Sequence, residues 1–266
     1  MGMLRPLIAA ITLVLALLAM TAMANAAGDG DAKTVSALGI ARVGGEEVFV
    51  EVLVAVPDGA SAQAAAAQAL REQGARDADR QELESAGFTT TGLVWDGFSD
   101  GNAGNDFVTQ HYNPKGDPTG GAALGALLST HATWTDVPTS SFAFSYGGTT
   151  NRCPSLVNEC PGPQTYDGKN DVGWLKLSGC CTLAVTWFST SRDEADMGIN
   201  TRFKWSTGVP TPTGRYDLES VILHENGHVA GLGHSADTSA VMYAYYSGLR
   251  RELHQDDIDG ISFLYP

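Results

Sequence analysis

Basic residues are scarce in this chain: 16 lysines and arginines stand against 30 acidic residues, giving a formal net charge of −14 over 266 residues. A protein with this excess of negative charge repels a phosphate backbone, so we expect no nucleic acid among its partners. After residue 26 no apolar run approaches the roughly 20 residues that cross a bilayer, which predicts no membrane span in the mature form. The hydrophobic content of 43% still provides for a globular core.

The first 26 residues have a different pattern. They hold one basic residue, Arg5, then an apolar run from Leu7 to Met20, then small residues in A-x-A patterns. This order is typical of a secretory signal peptide. An uncleaved membrane anchor is the alternative, but the Ala-rich end of the run favours cleavage. We therefore expect residues 1–26 to be removed and the protein to be a secreted, extracellular monomer, with retention at a membrane or cell envelope left open.

Cysteine is absent before residue 153, and the four cysteines lie close together in the sequence, at Cys153, Cys160, Cys180 and Cys181. An even number in an exported chain predicts two disulfides. Because a bond between adjacent cysteines closes a strained ring, we expect Cys180 and Cys181 each to pair with Cys153 or Cys160. A four-cysteine zinc site is the alternative, but the paired C-x-x-C spacing of such sites is missing.

Residue patterning divides the chain into two parts. Residues 27–45 are small and polar, and we predict no regular structure there. Residues 46–57, EEVFVEVLVAVP, alternate as a strand does, and residues 61–75, SAQAAAAQALREQGA, form an Ala-rich helix. We therefore predict a small N-terminal strand-helix segment over 27–90, a candidate propeptide, followed by one domain over 91–266.

The larger part mixes strands and helices without repeats. Strands are predicted at 107–113, 141–146, 182–188 and 195–203, helices at 119–134, 217–230 and 256–265, and a long loop at 147–179. This order predicts an α+β fold.

Histidine is also scarce, yet half of the six histidines lie in HENGHVAGLGHS, residues 224–235. His224 and His228 are four residues apart, so one face of a helix presents both imidazoles to a single ion, with Glu225 beside them. Gly231 permits a left-handed turn out of the helix, after which His234 reaches the same ion. Three neutral imidazoles with one open position predict a catalytic zinc rather than a structural one.

Zinc held in this way predicts hydrolysis of peptide bonds. The ion lowers the pKa of a bound water from about 15.7 to about 7 and polarises the scissile carbonyl. Glu225 is then the general base, which takes the proton of the zinc-activated water and passes it to the leaving amine. The alternative is a non-catalytic zinc-containing module that binds proteins without cutting them. Glu225 favours the enzyme, because a binding module does not need a base beside the metal.

These residues resemble a known family. HENGHVAGLGHS resembles the metzincin signature H-E-x-x-H-x-x-G-x-x-H, and Ser235 after the third histidine resembles the matrixins, the matrix metalloproteinase family. Met242 matches the Met-turn of that family, and LHQDDIDGISFLY is similar to its closing helix. The resemblance covers about residues 90–266, with specific motifs only from Asp217 onward. It implies a metzincin-type catalytic domain, in which a twisted mixed sheet packs on the active-site helix.

The resemblance also implies roles for single residues. His224, His228 and His234 would bind the catalytic zinc, and Tyr246 would line the specificity pocket. A protein or peptide substrate would add as an extended strand along a sheet edge, for which the candidates are Leu183, Ala184, Val185 and Thr186. Three departures from the family stand out: Ala244 replaces a usual proline, residues 147–179 lack a histidine for a second zinc, and residues 27–90 lack a cysteine that could block the metal.

Calcium is a second candidate cofactor. Two groups of hard oxygen donors suit it, Asp167, Asn170 and Asp171 in one group and Asp193, Glu194 and Asp196 in the other. Ordinary turn residues and solvated charge are the alternative interpretation of both groups.

Overall fold

The computed structural model describes residues 34–43, 45–77, 90–91, 94–95, 107–156, 160, 167–189, 194–245 and 248–266. Within them the strands are β1 (Thr34–Val43), β2 (Glu46–Ala55), β3 (Arg76–Asp77), β4 (Val108–Asn113), β5 (Phe144–Thr149), β6 (Asn170–Leu175), β7 (Thr182–Ser189), β8 (Ala195–Asn200), β9 (Trp205–Ser206) and β10 (Tyr216–Asp217). The helices are α1 (Ala62–Glu72), α2 (Ala122–Thr135), α3 (Leu218–Ala230) and α4 (Gln255–Leu264). The predicted signal peptide lies outside the described residues.

Eight of the described strands form one mixed sheet, in the order β3-β1-β2-β7-β8-β6-β4-β5. On one side of β8 the neighbours β8, β6, β4 and β5 run parallel to one another. On the other side β7 is antiparallel to β8, β2 is antiparallel to β7, and β1 is antiparallel to β2. A mixed sheet with packed helices confirms the predicted α+β fold.

Helices cover both faces of the sheet. Successive residues of a strand point to opposite faces, so Ala184 and Phe188 of β7 join the core beneath α2 and α3, whereas Val185 and Trp187 join the core beneath α1. Trp134 at the end of α2 is fully buried and donates its indole N–H to the carbonyl of Leu223 in α3. Among the described helices, none combines the length and apolarity needed to cross a membrane.

Strand β1 occupies residues for which no regular structure was predicted, so that prediction was wrong. All ten of its residues have a Cα partner in β2. Gly39 shows why one position of this strand needs a glycine: a Cβ there would lie 2.6 Å from the carbonyl oxygen of Arg76 and 2.8 Å from Leu70 of α1. A sequence that looks loose in isolation is therefore suited to close packing beneath a helix.

Strand β6 lies within the segment predicted to be a loop, which corrects that prediction too. The strand begins with two polar residues, Asn170 and Asp171, which are typical of loops in a sequence. In the structure both residues are buried. Asn170 accepts a hydrogen bond from the backbone N–H of Ala195 at 2.7 Å, and Asp171 binds the guanidinium of Arg152 at 2.5 and 2.7 Å. Strand β5 begins at Phe144, three residues later than predicted. The other predicted strands and helices are present near their predicted bounds.

All four cysteines are in disulfides, but the expected pairing was wrong. Cys153 pairs with Cys160, and Cys180 pairs with its neighbour Cys181. The chain before β6 brings Cys153 and Cys160 to a Cα separation of 6.3 Å, within the usual range for a disulfide. Because Cys153 and Cys160 pair locally, Cys180 and Cys181, in the turn before β7, pair with each other.

Helix α3 begins at a buried carboxylate. Asp217 is the N-cap, and its Oδ1 accepts hydrogen bonds from the backbone N–H and the hydroxyl of Ser220 at 2.9 and 2.7 Å. The guanidinium of Arg251 binds the same carboxylate at 2.5 and 3.1 Å. Burial raises the pKa of Asp217, but the hydrogen bonds from Arg251 and Ser220 outweigh burial, so the pKa lies below its ordinary 3.8.

We expect Asp217→Asn to lower the free energy of unfolding by about 1–2 kcal/mol at neutral pH, because a neutral cap loses the charged partner of Arg251. A carboxylate whose pKa is depressed on folding stabilises the protein above its unfolded pKa and loses this effect as the pH falls through the folded pKa. The difference between wild type and Asp217→Asn in urea unfolding should therefore shrink below about pH 4. Asp259→Asn, on the exposed side of α4, is the control, and an equal loss in both variants would contradict the prediction.

Candidate metal centre

Helix α3 and the turn after it bring the three predicted histidines together. His224 and His228 lie on one face of the helix, with their Nε2 atoms 3.1 Å apart. Gly231 ends the helix in the left-handed region, at φ 105°, and the chain turns back so that His234 faces the same point. His224, His228 and His234 together with Glu51 offer ligand atoms that all lie within 4.8 Å of one another.

The tautomers of two histidines follow from their hydrogen bonds. Nδ1 of His224 lies 2.7 Å from the carbonyl oxygen of Val241, and Nδ1 of His228 lies 2.8 Å from that of Leu232. A carbonyl oxygen only accepts, so each Nδ1 carries the proton and each Nε2 carries a lone pair. Burial, followed by the neighbouring His234, lowers the pKa of His224 to about 3, which keeps that ring neutral.

Two lone pairs therefore face each other at 3.1 Å between His224 and His228, an arrangement that is unfavourable unless a cation lies between them. Neutral imidazoles whose other nitrogen is held by a carbonyl are the usual ligands of zinc. The residues present thus fit a zinc ion, which would be held by the Nε2 atoms of the histidines.

Glu225, which follows His224 in α3, is fully buried. The hydroxyl of Thr186 in β7 donates to its Oε2, while its Oε1 has no hydrogen-bond partner among the described residues. Burial, and then the charge of Glu51, raise the pKa of Glu225 well above its usual range. A carboxyl group with a raised pKa is suited to hold a proton for part of a reaction.

A turn beneath the histidines contains Met242. The backbone N–H of Met242 donates to Oδ1 of Asp257 in α4 at 3.0 Å, and that of Val241 donates to Oδ2 at 2.8 Å. Met242 is 2% exposed and lies against α3 at Gly227, where there is no room for a Cβ. The closing helix thus fixes the turn, and the turn supports the helix that carries His224 and His228. Neither Gly227 nor Asp257 was singled out in the sequence.

Two other residues at the centre were not predicted from the sequence. Glu51 of β2 is fully buried, with its Oε1 3.3 Å from Nε2 of His234 and 3.7 Å from that of His228. Ser36 of β1 donates its hydroxyl to Oε1 of Glu51, and the same hydroxyl lies 2.8 Å from Nε2 of His234. Both belong to the N-terminal segment, and no local motif marks either residue.

The remaining predicted site residues have different placements. Leu183 to Thr186 lie in β7 beside α3, but β7 is paired on both sides, by β8 and by β2, so it is not an edge of the sheet. Tyr246 and Asp193 lie outside the described residues.

Glu194 accepts the backbone N–H groups of Asp167 and Gly168, each at 2.6 Å, and Asp196 accepts that of Asp171 at 2.8 Å. Calcium at these acids remains a prediction.

Comparisons with known proteins agree with the metal centre. Residues 163–266 match the family model of the matrixins. Metalloendoproteinase 1 of Glycine max is 53% identical over 55 residues, which are 20% of this chain and 18% of that protein. Metalloendoproteinase 5-MMP of Arabidopsis thaliana is 55% identical over 51 residues, 18% of this chain and 14% of that protein. Karilysin of Tannerella forsythia is 47% identical over 49 residues, 18% of this chain and 10% of that protein. The chain thus spans less than a fifth of the length of these curated relatives.

Proposed function

We propose that this chain, whose residues 163–266 are a matrixin-like metzincin region, is a zinc-dependent endopeptidase that cuts proteins or peptides. The observation that carries the proposal is the pair of Nε2 lone pairs of His224 and His228, which face each other at 3.1 Å next to a buried carboxyl group. The matched family and the metalloendoproteinases among the relatives support it.

A zinc ion bound by His224, His228 and His234 supplies Lewis-acid chemistry, lowering the pKa of water and polarising the scissile carbonyl. Glu225 supplies the proton transfer. Thr186 holds its Oε2, so its Oε1 is the atom that takes the proton from the attacking water. The same oxygen then delivers the proton to the nitrogen of the leaving amine.

The substrate is a protein or peptide in an extended conformation. Its backbone would pair with β7 over Leu183 to Thr186, on the side that β2 occupies in the structure, and Tyr246 would line the pocket for one of its side chains. Residues 1–26 act as a signal peptide, and the mature enzyme works outside the cell as a monomer. Residues 27–90 are the propeptide of this enzyme.

The test compares two forms of the protein, the chain without residues 1–26 and a chain that begins at Thr91. The second form keeps the hydrogen bonds from Thr91 to Gly231 and from the indole of Trp95 to Val229, which tie the start of the domain to the end of α3. We expect at least the shorter form to bind about one zinc per chain and to cut casein. A chelator should abolish cleavage, and added zinc should restore it.

Circular dichroism checks that the shorter form is folded. If both folded forms hold zinc and neither cuts casein or a library of quenched peptides, the non-catalytic binding module replaces the endopeptidase. If neither form binds zinc, the proposed metal centre itself is wrong.

A further inference from the structure

The N-terminal strands fill the place where a substrate strand would lie. Strand β2 pairs antiparallel with β7 from Val48 opposite Ser189 to Val54 opposite Thr182, and Glu51 lies opposite Thr186. Strand β1 continues the layer and reaches the segment after Met242, where the backbone N–H of Ser36 donates to the carbonyl of Ala244 at 2.7 Å. The β1–β2 hairpin therefore contacts both β7 and the segment that follows the Met242 turn.

The position of Glu51 matches that of a fourth metal ligand. Four ligand atoms at about 2.0–2.1 Å from a tetrahedral zinc lie roughly 3.4 Å from one another. Oε1 of Glu51 lies 3.3 Å from Nε2 of His234 and 3.7 Å from Nε2 of His228, and the two helix histidines are 3.1 Å apart. These three separations are close to the tetrahedral value, and all four ligand atoms lie within 4.8 Å of one another, so the carboxylate is placed to supply the fourth ligand of the three-histidine site.

The sequence around Glu51 gives a second, independent reason to regard this residue as a metal ligand. Residues 48–55 read VFVEVLVA, and Glu51 is their only charged or polar residue. Glu51 is fully buried, and its Oε2 has no hydrogen-bond partner among the described residues. Burying a carboxylate with an unpaired oxygen costs free energy unless a charge compensates it. A strand that only packed would carry an apolar residue here, whereas a divalent cation held by the histidines would compensate the carboxylate of Glu51.

We propose that the β1–β2 hairpin closes the active site in cis, with Glu51 as the fourth ligand of the metal and β2 in the place of a substrate strand. This inference rests on the zinc site of the proposed function. The hydroxyl of Ser36 donates to Oε1 of Glu51 and holds the carboxylate towards the histidines. Because β2 takes the hydrogen-bonding side of β7, substrate and hairpin exclude each other, and the enzyme is latent until the hairpin leaves.

The experiment measures whether an outside ligand can reach the metal in the full chain without residues 1–26. The zinc is replaced by Co²⁺, whose visible absorption reports its ligands, and acetohydroxamate is titrated against wild type, Glu51→Gln and Glu47→Gln. Glu47 lies on the same strand, four residues away, but is exposed and pairs with Arg42. We expect the Co²⁺ spectrum of Glu51→Gln to differ from that of wild type, and acetohydroxamate to bind this variant at least about tenfold more tightly. Glu47→Gln should behave as wild type.

Two results would overturn the proposal: wild type that binds acetohydroxamate as tightly as Glu51→Gln, or identical Co²⁺ spectra for the two proteins. If Glu51→Gln does not fold, the same two measurements are made on Glu51→Asp. Aspartate keeps the negative charge, but its shorter side chain does not reach the metal. A chain that binds no Co²⁺ or Zn²⁺ contradicts the proposed function. A chain that binds the metal with its fourth position open contradicts only the closure by the hairpin.

Discussion

Replacement of Glu225 by glutamine is expected to lower kcat/KM for peptide cleavage by about 10²–10⁴-fold, the usual contribution of a general base, while the zinc content stays unchanged. Glutamine keeps the shape of the side chain and can still accept a hydrogen bond from Thr186. It cannot take a proton from water. The three imidazoles are untouched, so the metal should remain, and the loss should fall on kcat rather than on KM.

Glu219→Gln is the matched control for Glu225→Gln. It removes the same charge from the same helix, but at a position that pairs with Arg251 and lies away from the histidines. Its cleavage rate should stay close to that of wild type. The proposed role of Glu225 would be refuted by a Glu225→Gln variant that retained zinc and more than about a tenth of the wild-type rate.

The histidine centre could be predicted because it is local. A helix brings residues four apart onto one face, and a glycine in the left-handed conformation returns the chain within a few residues. His224, His228 and His234 therefore carry almost the whole site within eleven residues of sequence. Met242 could be predicted only through the resemblance to the Met-turn of the metzincins, because nothing in the local sequence places its turn beneath the helix.

Glu51 and Ser36 could not be predicted because their approach depends on the register of strands that are distant in sequence. The pairing of β2 with β7 decides which face of the sheet Glu51 points to, and a shift of one residue would turn it away from the histidines. Strand β1 was missed for a related reason. Its β-branched residues are interrupted by alanines, a serine and a glycine, which weaken the strand pattern, and the segment becomes a strand because β2 offers a complete partner.

The last prediction concerns the support of the metal helix. Gly227→Ala is expected to lower the free energy of unfolding by about 2–3 kcal/mol, in the upper part of the range for overpacked cores. A Cβ at Gly227 would overlap the sulfur of Met242 and would come within 3.0 Å of the indole of Trp134. Both side chains are buried, at 2% and 0% exposure, so neither has free space to move into. Urea unfolding monitored by tryptophan fluorescence measures the loss.

Gly125→Ala separates packing from helix propensity. Gly125 also lies within a helix, α2, but it is exposed, and a Cβ there would have no atom within 4 Å. Alanine is favoured over glycine in a helix by about 0.5–1 kcal/mol, so Gly125→Ala should stabilise the protein slightly. Gly227→Ala has the same gain in helix propensity. The difference in the free energy of unfolding between the two variants therefore measures the packing cost alone. If Gly227→Ala were as stable as Gly125→Ala, Met242 would be free to move, and the turn would not support the helix that carries His224 and His228.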